Sequence, residues 1–263
     1  MKQITRTIGI VVLIGILIVA LLLAWEMAAQ RQPRIGFLFG RPSFVFAELA
    51  SLVKTGVFFT HFWVTGTEAL CGTVFGTLIG CSLGISLWLS RDVAIAVRPV
   101  VFALGNLPIF AFAPLMIVWF GTDFEMKVAL AAFSTGFVSF SLAYRGAQGV
   151  GKESLEVLKA MRASKQHTFQ KVIIPASLDS VFSAARLNVG FGLLGAFLGE
   201  FISSDRGLGY LILKASGVYN VSRVFAVCIG ILVLAVIFDS AAAFLERHRS
   251  RIMQVISVPN AFR

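Results

Sequence analysis

One stretch of the sequence has the spacing of a nucleotide-binding motif, Gly146-Ala-Gln-Gly-Val-Gly-Lys152. In a P-loop, GxxxxGK precedes a Ser or Thr whose hydroxyl coordinates Mg²⁺, and backbone amides of the loop hold the phosphates. The next residue here is Glu153, whose carboxylate would repel phosphates. The stretch also follows an apolar segment, whereas a P-loop follows a strand of a parallel sheet. The sequence therefore excludes ATP binding through this motif, and any ATP that drives the protein must bind to another subunit.

Residue types that catalyse reactions or bind metals are few in this sequence and poorly spaced. The cysteines fall inside apolar stretches without a CxxC pair, and the histidines fall in polar segments or at the ends of apolar ones. Neither HExxH nor GxSxG occurs, the patterns of zinc proteases and serine hydrolases. We expect no enzyme, no metal site and no cofactor in this chain, and we expect the cysteines to act as buried small apolar residues. The cysteines are Cys71, Cys81 and Cys228, and the histidines are His61, His167 and His248.

The longest segment on the side of the predicted bundle that holds both termini runs from residue 145 to residue 179. Within it, residues 153–163 are predicted to form a helix about 16 Å long. Leu155, Leu158 and Met161 would share one face of that helix. Such a helix either lies on the bilayer surface or docks in a groove of a partner protein.

Small residues recur at the spacing of a helix face. Small residues four positions apart let membrane helices approach closely and gain van der Waals contact. We predict that these faces are internal packing surfaces, with sliding of the faces during transport as the functional alternative. The residues are Gly72, Gly76, Gly80 and Gly84, with Gly195 and Gly199 repeating the interval.

The apolar stretch 99–122 is interrupted by two prolines. Proline lacks an amide hydrogen and clashes with the preceding turn, so we expect a kinked or broken helix. Broken helices often line cavities in transporters, although a kink also serves simple packing. The candidate path-lining residues of this stretch are Asn106, Pro108, Phe110, Phe112, Pro114 and Trp119.

Glu200 and Asp239 are the acidic residues set deepest in apolar stretches. Ionisable groups at such positions are costly and often functional, so Glu200 is a further candidate for a translocation path. The alternative is a structural role, in which the carboxylates pair with Arg186 or Arg223 or extend to the membrane surface.

Composition identifies the elements that must position these residues. Of 263 residues, 57% are hydrophobic and 14% are charged, against about 25% charged in soluble proteins. Runs of about 20 apolar residues cross a bilayer as helices, which satisfy their own backbone hydrogen bonds. We predict an all-α membrane protein with about six transmembrane helices in one bundle. The predicted spans are 7–25, 69–90, 99–122, 128–144, 180–203 and 224–245.

The distribution of basic residues predicts the orientation. With six spans, 15 of the 23 Lys and Arg fall on the side that holds both termini, and the positive-inside rule makes that side cytoplasmic. The formal net charge of +10 is explained by this face, because no basic stripe interleaved with aromatic residues suggests nucleic acid. Span 7–25 is longer than a signal-peptide core, which favours an uncleaved anchor. Four basic residues of the other side fall in the long first outside loop: Arg31, Arg34, Arg41 and Lys54.

From residue 42 to residue 246 the sequence resembles the permeases of binding-protein-dependent ABC importers, in particular the branch that takes up nitrate, sulfonates and taurine. Those permeases carry a cytoplasmic Glu-Ala-Ala, a Gly four residues after the second Ala, and a closing Ile/Val-x-Leu-Pro. Glu156-Val157-Leu158, Arg162 and Val172-Ile-Ile-Pro175 stand at those positions. The Glu, the following Ala163 and the Pro match, whereas the two alanines and the glycine do not. Also similar are Leu107-Pro108, Ala113-Pro114-Leu115, Trp119-Phe120-Gly121, Gly199-Glu200 and Arg206-Gly-Leu-Gly-Tyr210.

The resemblance implies a type I importer in the bacterial inner membrane, with residues 1–263 as a single multi-pass permease domain. Two identical chains would enclose the path of a small anion such as a sulfonate, taurine or nitrate. A periplasmic binding protein would deliver the solute, and separate ATPase subunits would hold ATP and Mg²⁺ and grip the helix of the 145–179 loop. Arg162 would offer a cation where a glycine permits positive φ. The implied coupling residues are Glu153, Leu155, Glu156, Leu158, Lys159, Met161, Arg162, Ala163 and Pro175.

Other classes of membrane protein fit the same composition. A stand-alone secondary transporter or channel would also be a helical bundle, but it often has an internal repeat, which we do not find. A membrane scaffold would use the glycine faces without needing an ATPase-docking helix. Within the importer family, the cargo could instead be a vitamin such as riboflavin or a thiamine precursor.

Overall fold

The fold consists of helices, and the computed structural model describes it for residues 2–248. Within that range every regular element is an α-helix, a short 3-10 turn or a π turn. Arg249, Arg251 and Arg263, which the sequence assigns to the cytoplasmic side, lie outside the described residues. The helices are α1 Lys2–Arg31, α2 Pro33–Phe39, α3 Pro42–Lys54, α4 Val57–Ser86, α5 Arg91–Gly105, α6 Ala113–Phe120, α7 Phe124–Gln148, α8 Lys152–Ala160, α9 Lys165–Thr168, α10 Ile174–Ile202, α11 Leu208–Gly217 and α12 Val221–Arg247.

Six segments are long and apolar enough to cross a bilayer, which is the predicted number. Five predicted spans correspond to α1, α4, α7, α10 and α12. The predicted span 99–122 is not one helix. Its two parts, α5 and α6, are long and apolar enough to cross a bilayer only together, and they form a pair bent by 97°. Pro108 lies in the break between them, where its missing amide hydrogen prevents α5 from continuing.

The sixth segment, Pro33–Lys54, corrects the sequence prediction, which placed these residues in an outside loop. Arg34 and Arg41 interrupt the hydropathy of this segment, and Arg31 and Lys54 lie at its two ends, so the sequence alone predicts a loop there. The Ser43 amide donates to Glu26 Oε2 at the end of α1 across 3.0 Å. Glu48 pairs with Arg223 near the start of α12 at 3.2 Å. The segment is divided at Gly40 into two helices, and α3 alone, with 13 residues, is about 20 Å long and too short to cross a bilayer. We therefore place α2 and α3 at the end of the bundle that holds Glu26 and Arg223, and we do not count the segment as a crossing.

The glycine face of α4 packs along α7, and the two helices are parallel. Gly72 faces Ala131 and Gly76 faces Thr135, and a side-chain Cβ at either glycine would overlap its partner. Further along, Gly84 contacts the Phe140 backbone. Because parallel neighbours need a connection that returns across the membrane, the bent α5–α6 pair crosses it once.

Helix α10 runs antiparallel to both α4 and α7. Gly195 packs against Ala131, and Gly199 packs one turn earlier on α7 against Lys127. The Asn188 amide donates to the hydroxyls of Thr77 on α4 and Ser139 on α7, across 2.7 and 2.6 Å. With α12 returning antiparallel to α10, the chain crosses six times: through α1, α4, the α5–α6 pair, α7, α10 and α12. An even number of crossings puts both ends of the described chain on one side, and the cytoplasmic identity of that side stays a prediction.

The cysteines are only partly the buried residues expected. Cys81 is buried between α4 and α7, Cys71 is half-buried, and Cys228 is exposed on α12. An exposed thiol on a membrane-spanning helix faces an apolar medium, so the small apolar role still fits Cys228.

Candidate coupling surface and translocation site

The polar connection between α7 and α10 is shorter than the predicted loop 145–179. Helix α7 continues to Gln148, and the helical structure that leads into α10 begins at Lys165, so the connection consists of residues 149–164 and contains α8. The predicted helix 153–163 is observed as α8, which ends at Ala160. The stretch with P-loop spacing thus joins two helices, which is not the strand-to-helix setting of a phosphate-binding loop.

Helix α8 ends in a Schellman motif centred on Arg162. The Ala163 amide donates to the Leu158 carbonyl across 3.0 Å, and the Arg162 amide donates to the Lys159 carbonyl across 2.9 Å. This pair of bonds needs a left-handed residue between helix and turn, and Arg162 has φ +56°. For a residue with a Cβ, that conformation costs about 1–2 kcal/mol. The glycine expected here by resemblance is therefore a backbone requirement, and Arg162 meets it under strain.

The apolar face that α8 presents outward differs from the predicted one. Leu155 is half-buried and packs against the cluster that contains Ile173, and Leu158 is also half-buried. Val157 and Met161, four residues apart, are 59% and 63% exposed. The outward pair is thus Val157 and Met161. The sequence analysis missed Val157 because it assumed that all leucines of α8 face the partner. Also exposed are Glu153, Glu156 and Lys159.

The segment after α8 connects it to the membrane helices. The Phe169 ring stacks on Trp88, which follows α4, with centroids 6.1 Å apart. Phe169–Ile173 forms a π turn directly before α10, whose second residue is Pro175. Pro175 lacks the amide that would bond to the Lys171 carbonyl in a continued α-helix, which accounts for a π turn here. The segment after α8 is thus in contact with the end of α4 and continuous with α10.

A cavity of about 700 Å³ lies between α4, α5, α6 and α7, and we call it the apolar chamber. Apart from Ser86, its lining residues are apolar. Gly76 and Gly80 form part of one wall, so the glycine face borders the chamber as well as α7. The aromatic lining residues are Trp119, Phe120, Phe133, Phe137 and Phe140.

The structure disperses the seven residues that the sequence assigns to a path. Trp119 lines the apolar chamber, and Asn106 lines a neighbouring cavity of about 280 Å³. Phe112 packs on Phe133 with ring centroids 4.4 Å apart. Glu200 lies apart from both cavities and is fully buried. Exposed on the bent α5–α6 segment are Pro108, Phe110 and Pro114.

Glu200 anchors the turn that joins α10 to α11. The Thr65 hydroxyl on α4 donates to Glu200 Oε1 across 2.6 Å. Three successive amides of the turn, 207–209, donate to His61 Nδ1, Thr65 Oγ1 and Glu200 Oε2, across 2.8, 2.8 and 2.6 Å. Gly207 has φ +99° and faces the Glu200 carboxylate, so a Cβ there would overlap that group. The Gly-Leu-Gly stretch therefore follows from close backbone approach to a buried carboxylate.

Two further buried charged residues lie around Glu200 and were missed by the sequence analysis. Glu68 is 2% exposed and lies beside the Glu200 carboxylate. Lys127 is 3% exposed, and its Nζ donates to the Thr122 carbonyl across 2.6 Å. Each lies one residue before a predicted span and so was treated as a loop residue. The four-residue interval from Glu68 to Gly72 would have placed Glu68 on the packed face of α4.

The predicted pairing of the membrane carboxylates with arginine is confirmed for Asp239 and wrong for Glu200. Arg186 lies 3.6 Å from Asp239 and 2.7 Å from Glu246. Arg223 pairs with Glu48, so it is not the partner of Glu200. The hydrogen bonds to Glu200 come instead from two neutral donors, the Thr65 hydroxyl and the Gly209 amide.

Comparison with known proteins finds relatives over most of the chain. Residues 72–251 match the family described as "Binding-protein-dependent transport system inner membrane component". SsuC of Bacillus subtilis (strain 168), named as an aliphatic sulfonates transport permease protein, is 28% identical over 89% of this chain and 85% of its own length. ThiX of Halalkalibacterium halodurans, named as a formylaminopyrimidine transport permease protein, is 26% identical over 86% of this chain and 90% of its own.

A solved structure shares the architecture. An inward-facing conformation of the MetNI methionine ABC transporter superposes with a TM-score of 0.61 at 17% sequence identity. The match covers 74% of this chain and 94% of that chain. At this identity the likeness shows a common fold, that of a type I importer permease.

Proposed function

Because the chain belongs to the family of binding-protein-dependent transport system inner membrane components, we propose that two copies of it form the path of a small anion such as a sulfonate, taurine or nitrate. The chain is the permease subunit of an ATP-binding-cassette importer in the inner membrane and is not an enzyme. Residues 1–263 would form a single permease domain, with residues 42–246 as its core.

The partners follow from the family, and the GxxxxGK stretch of this chain does not serve as an ATP site. A binding-protein-dependent importer works with an ATPase subunit and a substrate-binding protein. We assign ATP and Mg²⁺ to the ATPase, since the GxxxxGK stretch here is followed by Glu153 and joins two helices.

The observation that carries the coupling proposal is the exposed apolar pair on α8. Val157 and Met161 stand on a nine-residue helix between two membrane helices, with exposed charged residues around them. Exposed apolar side chains on a short amphipathic helix suit a groove of a partner protein. The Schellman motif at Arg162 fixes where the helix ends and so fixes the register of these side chains.

The contacts of α8 support a route from ATPase to path. Leu155 packs into the cluster of α7 and α10 residues, and Phe169 stacks on Trp88. Movement of α8 by the ATPase would therefore shift α4, α7 and α10 relative to the bent α5–α6 pair. The apolar chamber lies among three of these elements, so such a shift changes its walls.

The second copy is proposed from the unpartnered apolar surface of the bent pair. Phe110, Val118 and Trp119 are 61%, 79% and 63% exposed. Because α5 and α6 are broken at mid-course, their backbone needs protein or a water-filled cavity beside it within the membrane. A second chain facing this surface supplies such an environment and encloses a path.

The relatives include a sulfonate permease and a permease for a vitamin precursor. The apolar chamber gives a reason to keep the vitamin precursor as a second candidate cargo. The sulfonate name of SsuC supports an anion. The aromatic lining of the chamber and the pyrimidine named for ThiX support a vitamin precursor with a flat ring. Uptake of a labelled sulfonate and of a labelled formylaminopyrimidine by the same reconstituted complex distinguishes the two.

A pull-down tests the coupling role. The tagged chain is recovered from mildly solubilised membranes, and the proteins that accompany it are identified by mass spectrometry. We expect an equimolar P-loop ATPase that is lost when residues 153–163 are scrambled. An ATPase that stays bound to the scrambled chain would refute docking through α8.

A further inference from the structure

Two cavities between α5 and α7 adjoin each other at the end of the bundle that carries α8. One, of about 280 Å³, includes Asn106, Ser141 and Arg145 in its lining. The other, of about 370 Å³, is lined by Arg98, Tyr144, Arg145, Gln148 and their neighbours. The cavities share Phe102 and Arg145, and we call them together the basic recess.

The two arginines of the basic recess lack acidic partners. Ion pairs with a carboxylate within 4.0 Å are found for Arg186, Arg206 and Arg223. Among the side chains described in residues 2–248, neither Arg98 nor Arg145 has such a pair. Two guanidinium groups at one cavity without a counter-charge produce a local positive potential that favours an anion.

Aromatic rings position one of the two guanidinium groups. Arg98 lies over the Phe102 ring at 5.6 Å and over the Tyr144 ring at 5.8 Å. Cation–π attraction restrains a guanidinium without using its N–H groups as hydrogen-bond donors to a carboxylate, so they stay available for a bidentate contact with an oxyanion. An arginine whose only role is to set the orientation of the chain in the membrane does not need contacts with aromatic rings.

The basic recess adjoins the apolar chamber. Val101 and Phe137 line both the 280 Å³ cavity and the chamber. An alkyl or aromatic body would be buried in the chamber while an attached anionic group reaches the arginines. This arrangement suits an amphipathic organic anion better than an inorganic one.

We infer that Arg98 and Arg145 bind the charged group of an organic oxyanion, such as an aliphatic sulfonate, as it leaves the apolar chamber toward the α8 end. The inference rests on the proposed function for the direction of passage, and it names the substrate contacts of that path. Arg98 supplies an oriented fork, and Arg145 supplies the second cation where the two cavities meet.

Equilibrium binding of butane-1-sulfonate to the purified permease–ATPase complex, without binding protein, tests the site, with butan-1-ol as the uncharged probe. The variants are Arg98→Ala, Arg145→Ala and the matched control Arg91→Ala, an exposed arginine of α5 that lines neither cavity. We expect the complex to bind the sulfonate and not the alcohol. Each recess variant should weaken binding by about tenfold, since a charge-assisted bidentate contact is lost, and the control should not.

Several outcomes would overturn the site. Equal sulfonate affinity in all four complexes excludes it, and equal loss in Arg91→Ala shows a general effect of surface charge. An anionic phospholipid that co-purifies with the complex and is lost only in the recess variants, without sulfonate binding, assigns the arginines to a lipid headgroup. Recovery of the ATPase with each variant verifies folding, and Arg98→Lys, which keeps the charge but loses the fork, should retain intermediate affinity.

Uptake separates this inference from the proposed function. A wild-type complex that binds butane-1-sulfonate yet imports no sulfonate would leave the site in place and refute the anionic cargo. A complex that imports a sulfonate equally well with Arg98→Ala and Arg145→Ala would keep the cargo and refute the site.

Discussion

Glu200 on α10 and Thr65 on α4, 135 residues apart in the chain, share a buried hydrogen bond of 2.6 Å. The same carboxylate accepts the Gly209 amide, and the Thr65 oxygen accepts the Leu208 amide. Two membrane helices thus hold the start of α11 through one carboxylate and one hydroxyl. The turn after α10 is therefore fixed to the bundle, although it lies between membrane-crossing helices.

Loss of the Glu200 carboxylate should destabilise this end of the bundle. In Glu200→Ala the Gly209 amide stays buried without an acceptor, so we expect the free energy of unfolding to fall by about 3 kcal/mol. Glu200→Gln keeps an acceptor oxygen and should lose less. Thermal unfolding in lipid nanodiscs measures both, with the exposed Glu125→Ala as control. Equal stability of Glu200→Ala and Glu125→Ala would contradict the anchoring role.

Strain at Arg162 predicts a stabilising substitution. Glycine adopts φ +56° without a Cβ penalty, so Arg162→Gly should raise the stability of the α8 end by about 1 kcal/mol. Arg162→Ala keeps the Cβ and serves as the control, with no such gain. Hydrogen exchange of the Arg162 and Ala163 amides reports the local opening. Faster exchange in Arg162→Gly than in the wild type would show that the strain account is wrong.

The charge of Arg162 has a separate role in coupling. Arg162→Glu keeps the backbone requirement but reverses the charge that would face an acidic groove of the ATPase. We expect ATP hydrolysis to continue while uptake is lost, with the complex still assembled. ATPase activity and solute uptake are measured in the same proteoliposomes. Unchanged uptake would exclude a coupling role for this charge.

The outward face of α8 should be needed for ATPase binding. Val157→Asp places a charge in the apolar part of the proposed interface, so we expect the amount of co-purified ATPase to fall by about tenfold or more. Val218→Asp is the matched control, because Val218 is also strongly exposed but lies at the other end of the bundle, after α11. Equal ATPase recovery with both variants would place the interface elsewhere.

Alanine substitutions of two helical glycines should change the free energy of unfolding in opposite directions. In Gly76→Ala the new methyl overlaps Thr135 and the Ala132 carbonyl, so we expect a loss of about 2 kcal/mol from overpacking. In Gly190→Ala no atom lies within 4 Å of the new methyl, and helix propensity favours alanine by about 1 kcal/mol. The unfolding midpoints of the two variants and of the wild type, measured in nanodiscs, test both expected changes. A destabilised Gly190→Ala or a tolerant Gly76→Ala would contradict the packing described for α4 and α7.

Features that depend on local pattern were predictable from the sequence. The six crossings follow from apolar runs of sufficient length, and the glycine face of α4 follows from a regular interval. The break at Pro108 follows from backbone chemistry. The position of α8 was predicted from the helical spacing of Leu155, Leu158 and Met161, and the observed helix ends at Ala160.

Features that depend on contacts between distant residues were not predictable. Glu68 and Lys127 looked like loop residues because burial at a helix end is decided by neighbouring helices. The outward face of α8 was misassigned because Leu155 packs on Ile173, a contact that periodicity does not reveal. Helices α2 and α3 were missed because Arg34 and Arg41 interrupt the hydropathy of a segment that does not cross the membrane.

The most direct test of the central claim is solute uptake by the reconstituted permease, measured with and without ATP, the ATPase subunit and the binding protein. We predict that a labelled sulfonate accumulates only when all three are present, and that Val157→Asp abolishes accumulation while the permease remains folded. Uptake by the permease alone in vesicles without ATP would contradict the account and identify the chain as a stand-alone transporter or channel.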